Sequence, residues 1–254
     1  GMAYIPGSAL RQVCVDGRDV VVKLIEHVII PLLPLHIFGI FLNMSVSGQA
    51  LVVIQAFLGV ICVLAVLHVV LLLMQFGAAG LVCKRNPLKL LRNMMPAYFT
   101  ALGTQSSAAT IPVTLEQTVK NGVSREIATF TIPLCATIHL SGSTMKIVAC
   151  SMALVILTGG QLDFASYAGF ICMLGITMVA APGVPGGAIM AALGLLKDML
   201  GFDETLQALM IAIYVAIDSF GTACNVTGDG AIALVVDRIS GRKAGGESAP
   251  NINN

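Results

Sequence analysis

Residues 218–229 read DSFGTACNVTGD, and this stretch decides the fold because it places charge inside a long apolar run. Its polar residues are separated by four, three and four positions: Asp218, Thr222, Asn225 and Asp229. This spacing puts all four on one face of a helix whose other positions are apolar or small. Carboxylates in an apolar span are costly unless they face a cavity or a cation, so the pattern indicates a functional site. The alternative is that both acids only pair with Lys146 in a packed bundle.

The whole chain has the composition of a membrane protein. Hydrophobic residues make up 57% of the 254 residues, charged residues make up 11%, and the mean hydropathy is +0.91. No Asp, Glu, Lys or Arg occurs from His27 to Cys83, which predicts two spans, from about Val20 to Leu42 and from about Leu51 to Cys83. Later apolar runs, from about Ile127 to Thr158 and from about Leu206 to Val236, predict further spans.

The charges exclude some functions and orient the chain. The net charge is +1 and no basic cluster is interleaved with aromatic residues, so we expect no nucleic-acid partner. No nucleophile, base and acid form a catalytic set, so we expect no enzyme. Basic residues follow the second span at residues 84–92 and the last span at residues 238–243, which predicts that both loops are cytoplasmic.

Two other apolar segments are interrupted by residues that break or cap helices, TQSSAATIP at residues 104–112 and APGVPGG at residues 181–187. The arms around each interruption are too short to cross a bilayer, which takes about 20 residues. Irregular backbone inside a membrane is tolerated only where protein or water surrounds it, so we interpret both segments as re-entrant helical hairpins. The alternative is two ordinary kinked spans.

The order hairpin, helix, hairpin, helix suggests an internal duplication. IHLSGS at residues 138–143 matches CNVTGD at residues 224–229 as apolar, polar, aliphatic, hydroxyl, glycine and polar. The charge pattern predicts that the first hairpin enters the membrane from the cytoplasm and the second from outside, so we expect their tips to meet near the midplane of the bilayer.

The two tips and the polar helix face suit a zwitterion. Backbone N–H groups at Ser106, Ser107 and the non-proline residues of the 182–187 loop can hold a carboxylate, while Asp218 can hold an ammonium group. Unwound carbonyls around His139 and Asn225, together with the carboxylate of Asp229, suit a hard cation such as sodium.

These residues resemble the dicarboxylate and amino acid:cation symporter family, which includes the glutamate transporters. The resemblance runs from about Val20 to Arg238 and rests on four motifs: TIPVT at 110–114, ATIHLSGS at 136–143, GVPG at 183–186 and the stretch 218–229. It implies an all-α membrane protein with transmembrane helices and two re-entrant hairpins in an inverted repeat. It also implies a homotrimer that transports by an elevator-like movement.

The same resemblance implies a domain organisation. Residues 1–48 would end a scaffold region with one transmembrane helix, residues 49–240 would form the transport domain, and residues 241–254 would be a disordered cytoplasmic tail. The family's earlier spans, including a helix that contributes sodium ligands, are missing from the sequence, so we expect a piece of a longer protein. We expect that protein to cross the plasma membrane, the inner membrane in a bacterium, several times.

Individual roles also follow from the resemblance. Asp218 would bind the substrate ammonium group, with Thr222 and Asn225 as further substrate contacts. The substrate carboxylate would lie at the hairpin tips, formed by Ser106, Ser107, Gly183 and Val184. The candidate sodium ligands are Asp229, Asn225, His139, Cys135 and Thr137, and Thr137 would lend its carbonyl to a second sodium ion.

Three residues depart from the family pattern. Gly221 stands where relatives with acidic substrates have an arginine, and HLSGS at residues 139–143 replaces NMDGT, which removes an acidic sodium ligand. Lys146 has three candidate roles: a substitute for a bound cation, a clamp for a substrate carboxylate, or a charge that extends to the membrane surface. His139 is expected to be a hydrogen-bonded interior histidine, with a proton carrier as the alternative.

We therefore expect a secondary active symporter that couples influx of sodium or a proton to uptake of a small neutral amino acid, because Gly221 gives no second positive clamp. The first alternative is a dicarboxylate or acidic amino acid symporter that uses Lys146 as the clamp. The second is a substrate-gated anion channel or a non-transporting membrane receptor on the same fold. The expected partners are a small amino acid or carboxylate, the lipid bilayer and the other subunits of a homotrimer.

Overall fold

The structure is a computed structural model that describes residues 50–183 and 185–243 continuously, together with single residues before position 50. Most of the predicted first span and scaffold region, Val184 at the second tip and the tail from residue 244 lie outside the described residues. The chain divides into two compact units, Gly1–Val52 and Val53–Asn254, and the second contains the predicted site residues.

The described continuous part of the chain, residues 50–183 and 185–243, folds into nine helices without a strand, which confirms the all-α class. In chain order they are α1 (Ala50–Cys83), α2 (Pro87–Thr104), α3 (Ser107–Lys120), α4 (Arg125–Ile138), α5 (Ser141–Leu157), α6 (Phe164–Met178), α7 (Gly187–Leu200), α8 (Glu204–Ala216) and α9 (Asp218–Lys243).

Among the described residues, two stretches are long and apolar enough to cross a membrane by length and composition: Leu58–Cys83 in α1 and Arg125–Leu157, which comprises α4 and α5. The bent pair α8 and α9 meets the same criteria when it is counted as one span. The chain is unwound at His139 and Leu140, between α4 and α5, as expected for carbonyls exposed around His139.

The last predicted span, Leu206 to Val236, is not one helix. Helices α8 and α9 are separated at Ile217 and bent by 62°. Asp218 is therefore the first residue of a helix, and the expected unwinding at Asn225 is wrong because α9 continues through that residue. The carbonyl groups that the break leaves free at Tyr214 and Ile217 accept hydrogen bonds from the Lys146 ammonium group, which accounts for a break without proline.

The first interrupted segment forms the pair α2 and α3 around Gln105 and Ser106. Asn86 begins α2 by accepting from the N–H of Leu88 at 2.9 Å, and Gln105 ends it in the left-handed region with φ of 52°. Ser106 then begins α3 by accepting from the N–H of Ala109 at 3.3 Å. The two turn residues therefore break the helix by ordinary capping chemistry.

The second interrupted segment forms the pair α6 and α7 around residues 179–186. Gly186 precedes α7 with φ of 72°, a conformation that glycine adopts without strain. The paired helices have 18 and 14 residues in the first hairpin, and 15 and 14 in the second. Each is shorter than the roughly 20 residues of a span, which fits the hairpin interpretation, and their entry into a bilayer remains a prediction.

Helix α9 lies at the centre of the second unit, packed against α2, α3, α4 and α5. Residues 221–230 are all buried, and small residues such as Ala223 let neighbouring helices approach closely. The apolar core beside it includes Phe76, Met94 and Ile132. The polar residues of α9 are therefore enclosed by protein on every turn from Gly221 to Gly230.

Candidate substrate site

A small polar cavity lies where the two hairpin turns meet the break between α8 and α9. The space between atoms there, part of it open to solvent, is about 250 Å³, and its free centre is about the size of one water molecule. Five of the predicted substrate residues line it: Ser107, Gly183, Asp218, Thr222 and Asn225. The structure adds residues that the sequence did not single out: Gln105, Leu140, Ser143, Pro182, Ala188 and Tyr214.

Four of the described helices begin at this cavity, and Asp218 is the first residue of one of them, α9. Ser107, Ser143 and Ala188 line it from the first turns of α3, α5 and α7. The helix dipole gives each helix N-terminus a partial positive charge, although the N–H groups of Gly142 and Ser143 in α5 are already bonded to Asn225 Oδ1. The cavity is therefore electrostatically suited to an anionic group such as a carboxylate.

The two hairpin turns touch each other beside the cavity. Ser106 Oγ donates a hydrogen bond of 3.1 Å to the carbonyl oxygen of Gly183. A Cβ atom at Gly183 would lie 3.0 Å from the carbonyl oxygen of Ala136 in α4, so any other residue would require that neighbour to move by a few tenths of an ångström. Ser106 and Gly183 thus join the turns, and the position of Val184 lies outside the described residues.

Asp218 is fully engaged by groups of the protein. Its Oδ1 lies 2.8 Å from Lys146 Nζ, and its Oδ2 accepts a 2.8 Å hydrogen bond from the N–H of Gly186. The side chain of Lys146 is 0% exposed and that of Asp218 is 4% exposed. The ammonium group at Asp218 is therefore that of the protein's own Lys146 side chain, at the position where a substrate ammonium group was expected.

Lys146 is held from several sides. Its Nζ also donates to the carbonyl oxygens of Tyr214 at 3.3 Å and Ile217 at 3.5 Å, and lies 3.3 Å from the centre of the Tyr214 ring. A Cβ atom at Gly221 would lie only 3.1 Å from Nζ, so the missing side chain makes room for the ammonium group. Of the three candidate roles for Lys146, a charge that extends to the membrane surface is excluded by its burial, and the 2.8 Å ion pair with Asp218 favours a substitute for a bound cation.

Asn225 connects α9 to the unwound point between α4 and α5. Its Oδ1 accepts from the N–H of Gly142 at 2.7 Å and of Ser143 at 3.2 Å, and its Nδ2 donates to Ser143 Oγ at 2.9 Å. Gly142 is needed here, because a Cβ atom would lie 2.7 Å from the carbonyl oxygen of Gly221. The two matching motifs of the sequence therefore meet face to face, with Asn225 capping α5.

The predicted sodium ligands are only partly brought together. Asp229 is buried, and its Oδ1 accepts a 2.8 Å hydrogen bond from His139 Nδ1. Cys135 is buried in α4, where its carbonyl oxygen accepts from the N–H of His139. Thr137 is exposed and its hydroxyl group donates to the carbonyl oxygen of Leu134 in its own helix.

Gln75 of α1 completes the surroundings of His139. Its Nε2 lies 3.3 Å from His139 Nε2 and donates to Ser141 Oγ at 3.1 Å, while its buried Oε1 has no hydrogen-bond partner. No group of three or more His, Cys, Asp and Glu side chains is positioned for a metal ion within residues 50–183 and 185–243. Asp229 and Gln75 lie at opposite ring nitrogens of His139, and each carries an oxygen atom of the kind that a hard cation prefers.

Two of the residues missed by sequence reasoning carried a usable signal. Tyr214 has a polar hydroxyl group in an otherwise apolar run four residues before Asp218, and a buried tyrosine hydroxyl group usually requires a partner. Gln75 is an amide in the long uncharged segment that ends at Cys83, where a polar side chain requires a partner. Gln105 and Ser143 became recognisable only once the helix ends were known.

Comparison with known proteins places the chain among transporters. The family model described as "Sodium:dicarboxylate symporter family" matches residues 1–239. Excitatory amino acid transporter 1 of Bos taurus is 29% identical over 247 residues, which cover 92% of this chain and 43% of that protein. Excitatory amino acid transporter 5 of Mus musculus is 31% identical over 164 residues, 63% of this chain and 28% of that protein. Neutral amino acid transporter B(0) of Mus musculus is 29% identical over 160 residues, 61% of this chain and 29% of that protein.

The chain spans less than half the length of each of these three relatives. The match to the family model nevertheless covers almost the whole chain, including both interrupted segments and α9. Because the family consists of transporters, the expectation that the chain is not an enzyme is confirmed. The chain belongs to the sodium:dicarboxylate symporter family.

Proposed function

We propose that the chain forms the substrate-binding part of a secondary active symporter that couples cation influx to the uptake of a small carboxylate. The observation that carries this proposal is the polar cavity between the hairpin turns, which is lined by residues at the N-termini of α3, α5, α7 and α9, including Asp218. Substrate sites of secondary transporters are commonly formed near the midplane by interrupted helices of this kind, glutamate-transporter relatives among the known examples. The family and the similar amino acid transporters support the same class of function.

The substrate carboxylate would be held by the hairpin turns. Ser107 and Thr222 line the cavity, and none of the hydrogen bonds among the described residues engages either hydroxyl group. These hydroxyl groups and the first turn of α3 are free to donate to an anion. Asp218 and Asn225, whose side chains are tied to the protein, would shape the cavity around it.

The residues are compatible with two kinds of small carboxylate as the substrate. A small neutral amino acid fits the absence of a side chain at Gly221, as the sequence predicted. A dicarboxylate or an acidic amino acid is favoured by the Lys146 ammonium group beside Gly221, where it supplies a positive charge. The choice depends on what Lys146 does at Asp218.

The coupling cation is proposed to bind near Asp229. Sodium prefers oxygen ligands, and the donor set there fits it in part, with a buried carboxylate and the unpaired Gln75 Oε1. A bound sodium ion would supply the positive charge that balances Asp229. His139 already donates to that carboxylate, which supports a proton as the alternative coupling ion. A homotrimer and a multi-pass location in the plasma membrane are proposed from the family resemblance.

Uptake into liposomes tests the proposal. Protein expressed from the complete reading frame would be reconstituted, and accumulation of labelled succinate and L-alanine would be followed under an inward sodium or proton gradient. A symporter should concentrate at least one substrate above equilibrium and lose that ability when an ionophore removes the gradient. Asp229→Asn should uncouple uptake from the gradient. Uptake that only reaches equilibrium would instead identify a channel, and binding without uptake would identify a receptor.

A further inference from the structure

Lys146 bears a buried positive charge at the position where an amino acid would place its own. We propose that Lys146 is a specificity-determining residue that occupies Asp218 in place of a substrate ammonium group, so that the site selects small carboxylates without an ammonium group. This inference rests on the proposed function and names the substrate class for the same cavity. Its first basis is that both oxygens of Asp218 are occupied, Oδ1 by Lys146 and Oδ2 by the N–H of Gly186.

An amino acid would have to displace Lys146 to reach Asp218. The displaced ammonium group would keep only the carbonyl oxygens of Tyr214 and Ile217 and the face of the tyrosine ring. Asp229, another buried carboxylate of α9, is already paired with His139. Separating one partner from a buried ion pair is expected to cost on the order of a hundredfold in affinity.

The remaining donors of the cavity suit an anion and disfavour a cation. Lys146 and Asp218 cancel each other's charge, and Asn225 caps the first turn of α5, which leaves the partial positive charges at the first turns of α3 and α7. A carboxylate would be stabilised by these helix ends. An ammonium group in the same space would face the positive helix ends and no free carboxylate.

The neighbouring residues support a permanent place for the lysine. Gly221 leaves the space that Nζ fills, since a Cβ there would lie 3.1 Å from Nζ and 3.3 Å from Cε. Tyr214 lies under the ammonium group and is itself 1% exposed. The ammonium position is thus enclosed by Asp218, Tyr214, Ile217 and Gly221, the surroundings of a fixed group.

Matched ligand pairs separate the ammonium group from every other property of the substrate. L-Aspartate differs from succinate, and L-alanine from propionate, only by an ammonium group in place of one hydrogen. Affinities of the four compounds would be measured with purified protein from the complete reading frame, by calorimetry or by ligand-induced thermal stabilisation. We expect the ammonium-free member of at least one pair to bind about tenfold or more tightly than its amino acid.

Lys146→Met keeps the length of the side chain and removes its charge. Asp218 then lacks a cation, so the preference should reverse toward the amino acid, and methylammonium alone should raise the melting temperature of this variant but not of the wild type. In the double variant K146M/D218N, which removes both charges, the gain in amino acid affinity should disappear.

The outcomes distinguish this inference from the proposed function. If wild-type protein binds and accumulates L-aspartate or L-alanine more tightly than the ammonium-free compound, the symporter stands and the specificity inference is overturned. The same conclusion follows if Lys146→Met leaves the preference unchanged. If folded protein binds none of the four compounds, the proposed function fails and this inference falls with it. The wild-type comparison stays decisive even if Lys146→Met does not fold.

Discussion

Replacing Asp218 by Asn would remove the counter-charge of Lys146 while keeping the shape of the side chain. The lysine Nζ, which is buried, would keep two carbonyl acceptors at 3.3 and 3.5 Å. Breaking a buried ion pair by removing one partner typically costs about 3–5 kcal/mol. At about 2–4 °C per kcal/mol for a chain of this size, the melting temperature should fall by at least about 6 °C.

Three further variants make this prediction specific. Lys146→Met should destabilise by a similar amount, because it leaves the carboxylate with only the N–H of Gly186. The double variant K146M/D218N should lie close to wild type, since replacing both members of a buried pair is often tolerated. Asp198→Asn removes an exposed acid from α7 and should change the free energy of unfolding by about 0.5 kcal/mol or less.

Buried thiol groups provide the readout. Cys135, Cys150 and Cys224 are buried and should react with a maleimide dye only when the second unit unfolds, above the baseline given by exposed Cys62 and Cys172. Melting would be followed in detergent by this reaction and by size-exclusion chromatography. If the Asp218→Asn protein melts within about 2 °C of wild type, the ion pair does not support the fold as described, and the reasoning is wrong.

The remaining predictions concern close contacts near the cavity. Gly221→Arg would bring a second cation against Lys146, so we expect the variant to lose its monodisperse peak in size-exclusion chromatography. The double variant G221R/K146M should restore that peak. Equal behaviour of the single and double variants would argue against the contact between residue 221 and Lys146. Gly142→Ala would place a Cβ atom 2.7 Å from the carbonyl oxygen of Gly221 and should cost about 1–3 kcal/mol, measured as a lower melting temperature. His139→Asn frees the Asp229 carboxylate, so sodium should raise the melting temperature more in the variant than in wild type, and equal sodium effects would contradict a cation site there.

Gly194 in α7 is the matched control for Gly142. An added Cβ atom at Gly194 meets nothing within 4 Å, and alanine is favoured over glycine inside a helix by about 1 kcal/mol. Gly194→Ala should therefore raise the melting temperature slightly. A similar rise at Gly142 would show that the contact between α5 and α9 has more space than the distances indicate.

Much of the cavity could be predicted because its residues follow simple spacing rules. Asp218, Thr222 and Asn225 share one helix face, and the interrupted segments contain the capping residues that end helices. The structure brings this face and both turns to one place. Their roles in binding remain predictions.

The break at Ile217 could not be predicted from local sequence. The run IAIYVAIDSF at residues 211–220 contains neither glycine nor proline, so its pattern indicates one continuous helix. The carbonyl group of Ile217 that the break leaves free finds its partner in Lys146, a residue 71 positions earlier in the chain. For the same reason the sequence left three roles open for Lys146, because the direction of a long side chain is decided by its tertiary partners.

The contact between Ser106 and Gly183 has a consequence for how often the cavity is open. A neutral hydrogen bond contributes about 1 kcal/mol net, which by itself would leave the two turns apart in about one molecule in six. A ligand that touches both turns would shift this equilibrium toward the state in which the turns are joined. A compound that reaches only one turn would bind without changing the open population, so ligand length, rather than affinity, would decide whether the cavity closes.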